Sequence, residues 1–321
     1  MLWIIVSSAV ASLVDGARLT RWLTLLMLLC IVSVAIFFYL YLAVGPEAVS
    51  FFQEAANIDL RGGYAGATMH VYGSFIFLTA GFFAAPNLVR GRYIRFFLYV
   101  ALIIVAATSG RSALILSIPI GILVGLVFSV CSPRSPHIRR RYAVGKIFSM
   151  LCLGALVIGF LVLLAGAAGI DLYLIADNFW EKLRSGGGEA RVEQFSALLD
   201  GARDSYWLGV GHGIGVSYIR NEEYPWRYEL IWMATLLRVG LIGAIVYILP
   251  FCVYVWKFLS IWRRGEVRHL DVFLFSGFVA AFVASNTNPY IEGFVFQWMY
   301  IFPIVHFFVQ RMQASTSAPL Q

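Results

Sequence analysis

Residues 229–256 read ELIWMATLLRVGLIGAIVYILPFCVYVW, and this stretch decides the fold. Its only charges are Glu229 at the start and Arg238 inside. At 1.5 Å rise per residue it is long enough to cross the roughly 30 Å hydrocarbon core of a bilayer as a helix. Backbone polar groups in lipid must be satisfied within the segment, so a helix is expected and an isolated strand is not. Arg238 follows Glu229 by nine residues, roughly 13 Å along a helix. An ionised side chain at that depth is costly unless it faces protein or water.

The rest of the chain repeats the pattern. Hydrophobic residues make up 60% of the 321 residues and charged residues only 13%, about half the share in a soluble domain. The mean hydropathy is +0.81. Apolar runs are expected to form spans at about 1–14, 22–44, 70–87, 94–108, 112–130, 147–170, 229–256, 272–288 and 293–310. The expected class is all-α: a single integral membrane domain over 1–321, a polytopic transmembrane helix bundle of about nine spans. The first run is short and lacks a basic leader, so it is not read as a signal peptide. A disordered tail is expected over 312–321.

Arginine placement sets the orientation. Arg18/Arg21, Arg90/Arg92/Arg95, Arg134/Arg139/Arg140/Arg141/Lys146 and Lys257/Arg263/Arg264/Arg268 fall in alternate loops, while the loops between them are neutral or acidic. The basic loops and the C-terminus are therefore expected in the cytoplasm, with 45–69 and 171–228 outside. This topology accounts for the net charge of +7, and the basic residues form no continuous face for nucleic acid. Cys30, Cys152 and Cys252 lie in apolar runs and Cys131 at a cytoplasmic edge, so no disulfide is expected. No residue spacing suggests a metal site, and no cofactor is implied.

The outward segments carry the chemistry-bearing residues. From Pro46, the residues Ala48, Phe51, Phe52, Ala55 and Ala56 suggest a short surface helix, closed by a turn at Leu60-Arg61-Gly62-Gly63-Tyr64. Ser109-Gly110-Arg111 is a tight turn between spans. In the long loop 171–228, Val192, Phe195, Leu198, Leu199 and Ala202 form an apolar stripe, predicting an amphipathic helix after Gly186-Gly187-Gly188. Arg191 then lies in the first turn, where a cation opposes the helix dipole, so a separate partner is expected for it. The glycine turn Gly209-Val210-Gly211-His212-Gly213-Ile214-Gly215 follows, and Tyr228-Glu229 stands at the head of the next span.

Four of these pieces, in this order, resemble the O-antigen ligase and O-antigen polymerase superfamily of membrane glycosyltransferases. They are Leu60 to Tyr64, Thr108-Ser109-Gly110-Arg111-Ser112-Ala113, the stretch from Arg191 through Trp207-Leu208-Gly209-Val210-Gly211-His212-Gly213, and Leu237 to Gly243. Asn286-Thr287-Asn288-Pro289-Tyr290 also resembles that family's end, so the likeness covers roughly residues 50 to 310. The resemblance implies a GT-C-like enzyme of the bacterial inner membrane. Its donor would be an undecaprenyl-diphosphate-linked oligosaccharide, its acceptor a glycan hydroxyl, and a chain-length regulator is a further candidate partner. The ligase branch carries His-Asn where this chain has Tyr228-Glu229, which favours the polymerase branch. A ligase acting on lipid A core and a polytopic transporter are the alternatives, with a non-catalytic holder of lipid-linked glycan as a third.

Transfer from a lipid diphosphate needs cations on the leaving group and a base for the attacking hydroxyl. Arg61, Arg111 and Arg191 are the candidates for the diphosphate, because arginine binds phosphate in a planar fork and stays charged. Glu229 and His212 are the candidate bases. Arg238, Asn288 and Tyr290 are candidates for the glycan path, together with Asn286 and Glu292. Each has a plain alternative: arginines snorkel or pair with acids, Glu229 suits a helix N-terminus, and Arg238 suits a buried structural pair.

Overall fold

In the computed structural model, the residues described are 1–49, 56–61, 64–69, 71–108, 112–130, 159, 188–219, 222, 225–286 and 289–316. The architecture is helical. Most expected apolar runs form helices: α1 (Leu2–Leu13), α2 (Gly16–Ala43), α4 (Val71–Ala84), α5 (Arg92–Thr108), α6 (Ser112–Val130), α8 (Ile231–Arg263), α9 (His269–Ala284) and α10 (Trp298–Thr316). The expected loop helix is α7 (Gly188–Asp204). The expected span at 147–170 lies outside the described residues, apart from Gly159. Among the described residues two helices, Gly16–Phe37 and Ile231–Arg263, are long and apolar enough to cross a membrane.

Two local expectations are corrected. Pro46–Val49 form the helix α3, whereas Ala56, expected in that helix, opens an antiparallel hairpin of β1 (Ala56–Arg61) with β2 (Tyr64–Met69); Phe51, Phe52 and Ala55 lie outside the described residues. Arg61 pairs with Tyr64, so the glycine signal does mark a turn, but it joins strands. At the other end, α10 continues to Thr316, so the tail expected to be disordered from residue 312 begins as helix.

The chain divides into two compact units. One comprises Met1–Ala143, Phe258–Ala284 and Tyr290–Gln321, and the other Val144–Lys257 with Ser285–Pro289. In the first, α4 and α9 are buried on nearly all sides. Their glycines explain the close approach. A Cβ on Gly81 would stand 2.7 Å from the Phe273 ring, and one on Gly277 would stand 2.7 Å from Phe77. Each helix thus receives an aromatic ring from the other in a place only glycine leaves open.

The same device joins α6 to α4. Gly121 and Gly125, a Gly-x-x-x-Gly pair, bring the α6 backbone against the carbonyls of Ala80 and Ala84, where a Cβ would stand 2.4 and 2.6 Å away. Such small-residue spacing lets two helix backbones approach closely. Phe258 stacks on Phe275 at 3.9 Å, with Phe128 edge-on to both. In the first turn of α9, the buried Asp271 binds Arg268 and Arg311. Arg21, Arg90 and Arg268 line one cavity, so three of the four basic loops meet. The fourth, over 134–146, lies outside the described residues.

Candidate functional site

The second unit is built around the head of α8. A small core holds it: Leu198 and Tyr228 are fully buried and pack with Ala234 and Leu237, flanked by Val210, Val216 and Met233. Tyr228 stands immediately before Glu229, and its phenol oxygen accepts a hydrogen bond from the Val216 amide at 2.7 Å. Burying so large a ring fixes the chain on which Glu229 is mounted.

Helix α7 supplies the partner side. Its Arg191 Nε donates to Glu229 Oε2 at 3.1 Å, which is the separate partner that the arginine's position in the first helical turn demanded. Three residues on, and so on the same face, Gln194 is 1% exposed. Its side-chain oxygen accepts from the Glu229 amide at 3.0 Å and the Leu230 amide at 2.9 Å. Two backbone donors at the mouth of α8 are thereby satisfied by one side chain, a task normally given to a local capping residue.

The buried face of α7 differs from the expected stripe. Leu198 and Ala202 are buried as expected, but Val192 and Phe195 are exposed and Gln194 takes their place. Polar demand from the α8 head turned the helix. Gln194 was missed because a glutamine in a loop helix carries no apolar signal. Its i+3 spacing from Arg191 was the one clue in the sequence.

The glycine turn and the Leu237–Gly243 motif form one element. Gly240 has φ 69° and ψ −179°, which breaks the helical ladder of α8. The Leu241 amide therefore donates to Trp207 O at 2.8 Å. The carbonyls of Leu237 and Arg238 accept from Val210 and Gly211 at 2.9 Å each. A Cβ on Gly209 would stand 2.5 Å from Gly240 N, and one on Gly240 would stand 2.5 Å from Leu208 C. Both positions thus admit only glycine. The loop straps the interrupted helix and satisfies the groups the break leaves open. Tyr206 and Trp207 enter the strap with φ of 51° and 62°, a sparsely populated region for aromatic residues.

Arg238 is 7% exposed, and its Nη2 donates to the Trp226 carbonyl at 2.7 Å. The guanidinium therefore reaches back toward the loop, as side chains tilted toward a helix N-terminus do. It does not stand alone at depth, since α8 begins only at Ile231 and the Arg238 carbonyl is itself bound by the strap. His212 is exposed on the strap between Gly211 and Gly213, both at positive φ.

Of the residues singled out from the sequence, the structure thus brings together Arg191 and Glu229, and adds Gln194. Arg61 ends β1 in the first unit, which also holds the turn bearing Tyr290, whose ring meets Phe296 edge-on at 5.2 Å. Arg111 and Asn288 lie outside the described residues. Among the described residues no cluster of three or more His, Cys, Asp and Glu stands ready to hold a metal ion. No protein-family model matches the sequence, and comparison with curated proteins and with solved structures gives no match.

Proposed function

We propose that this protein is a multi-pass bacterial inner-membrane glycosyltransferase. It transfers glycan from undecaprenyl diphosphate to an acceptor sugar hydroxyl, in the manner of an O-antigen polymerase. The observation that carries the reading is the Arg191–Glu229 pair, 3.1 Å apart and reachable from solvent. It joins the two residue types that the transfer needs, in a segment assigned to the outer face by the arginine pattern.

In the proposed reaction the acceptor hydroxyl oxygen attacks the anomeric carbon of the donor. The bond from that carbon to the diphosphate oxygen breaks, and the electron pair leaves with the diphosphate. Glu229 takes the hydroxyl proton, and attack from the face opposite the leaving group inverts the anomeric centre. Arg191 stabilises the charge that develops on the diphosphate. The break in α8 at Gly240 favours a second reading. Interrupted helices with unwound backbone are also the binding elements of transporters.

The gel profile of surface polysaccharide separates these readings. Arg191→Ala and Glu229→Gln should each abolish the long-chain ladder while the protein still inserts. Single repeats retained would fit polymerase, and unattached lipid-linked polymer would fit ligase. A normal ladder in both variants overturns the enzyme reading, and substrate uptake by vesicles that ignores both substitutions favours the transporter.

A further inference from the structure

The first unit contains a cavity of about 600 Å³ that the transfer chemistry does not use, within the size range of small-molecule sites. Its wall follows α2 from Gly16 to Leu28. Twelve residues at 1.5 Å rise make that wall about 18 Å deep. Polarity changes along it. Along α2 the lining passes from Arg21 to Leu25 and Leu28, and Arg90, Arg268, His269 and Ile94 line the same cavity. No Asp or Glu is among the lining residues.

The charge is in surplus. Two carboxylates of the adjoining loops are already engaged, Asp15 with Arg18 at 3.2 Å and Asp271 with both Arg268 and Arg311. Arg21 and Arg90 are exposed and enter no ion pair among the described residues. Both belong to the loops that the arginine pattern assigns to the cytoplasm, where the membrane leaflet is rich in acidic lipid.

We propose that this cavity binds an anionic phospholipid of the cytoplasmic leaflet. The phosphate headgroup lies among Arg21, Arg90 and Arg268, and an acyl chain lies along the Leu25–Leu28 wall. An amphiphile fits because the cavity carries cations and an apolar wall over a depth of several methylene groups. A soluble phosphate would use only the cationic part. The site depends on the membrane placement of α2 and not on the identity of the transferred glycan.

The test uses the full chain reconstituted in vesicles of equal phosphatidylglycerol and phosphatidylcholine, then released for native mass spectrometry. The native protein should retain phosphatidylglycerol selectively. The Arg21→Gln/Arg90→Gln pair should weaken retention about thirtyfold, as loss of two basic contacts to an anionic headgroup implies. Arg21→Lys/Arg90→Lys should keep most of the selectivity. Leu28→Trp, with both arginines intact, should fill the apolar wall and lose the lipid.

Equal retention of both lipids by the native chain overturns the proposal. So does unchanged retention in the glutamine pair, or loss in the lysine pair as complete as in the glutamine pair. If Leu28→Trp has no effect and millimolar inorganic phosphate displaces the bound species, the site is one for a soluble anion and the lipid assignment falls. Failure to insert into vesicles at all sinks the membrane reading itself. Insertion without lipid selectivity sinks only this site.

Discussion

Glu229 and Asp271 are both carboxylates held by arginine, and they hold opposite positions on the scale of exposure. The Asp271 side chain is 1% exposed and is bound by Arg268 through two guanidinium contacts, by Arg311, and by the Arg268 amide. The Glu229 side chain is 21% exposed, and its arginine is 38% exposed. A carboxylate bound by four surrounding donors and shut from water is a structural bolt. One that meets solvent across a half-exposed guanidinium can be reached by a sugar hydroxyl or a phosphate. The pair is part-buried with its arginine 38% exposed, and ion pairs that solvent screens contribute only about 0–1 kcal/mol to stability, so stability alone accounts poorly for Arg191 and Glu229.

That contrast breaks most sharply in a paired experiment. Arg191→Ala or Glu229→Gln should lower glycan transfer by roughly 10² to 10³-fold, the usual loss when one preorganised electrostatic partner is removed. Thermal melting of the detergent-solubilised protein should barely move. Large losses of melting temperature in both variants, with transfer intact, would make the pair another bolt and erase the distinction.

The backbone beneath Glu229 offers the next largest effect. Gly240→Ala would place a Cβ 2.5 Å from the Leu208 backbone, at a φ/ψ combination that L-residues avoid. A cost of about 3–4 kcal/mol is expected from the clash and the strain together. Hydrogen exchange should show the Val210 and Gly211 amides losing protection first, since they bond across the break. Unaltered protection there would mean the strap does not support α8.

Asp271→Asn sharpens the comparison from the other side. It leaves two arginines around a neutral amide, and removing one partner of a buried pair is strongly destabilising. Arg268 is half exposed and recovers hydration, so about 2–3 kcal/mol is the expected loss of unfolding free energy. Transfer per folded molecule should remain. If transfer disappears while melting does not change, the structural assignment of Asp271 is reversed.

Periodicity and length made the helices legible in the sequence, because an apolar run either covers a helix on all sides or does not. The same logic failed at the hairpin after Ala56, where no long run exists and cross-strand pairing decides. It half-failed on α7. Hydrophobic pattern located the helix and the buried Leu198 and Ala202, but the rotation that buries Gln194 depends on amides at the head of α8, thirty-five residues away. Arg191 was legible because a cation in a first helical turn calls for a partner. The union of the Gly209 and Gly240 motifs was not, because backbone contact between distant glycines leaves no pattern in either segment.

Asp15 extends the series to a third, more exposed carboxylate, with the smallest expected effect. Its side chain is 57% exposed, caps α2 by accepting from the Arg18 amide at 2.8 Å, and lies 3.2 Å from the Arg18 guanidinium. The hydrogen bond from the Arg18 amide, then that from the Ala17 amide and the Arg18 and Arg21 charges, hold its pKa below the ordinary aspartate value. A depressed folded pKa gives stability that is fully present above the unfolded value of about 3.9 and is lost as pH falls through the folded one. The melting difference between native protein and Asp15→Ala should therefore stay constant from pH 7 to about 4 and close below that. A gap that instead widens on acidification would mean the neutral carboxyl caps better than the charged one. Exposure would then no longer order these three carboxylates by what their charge contributes.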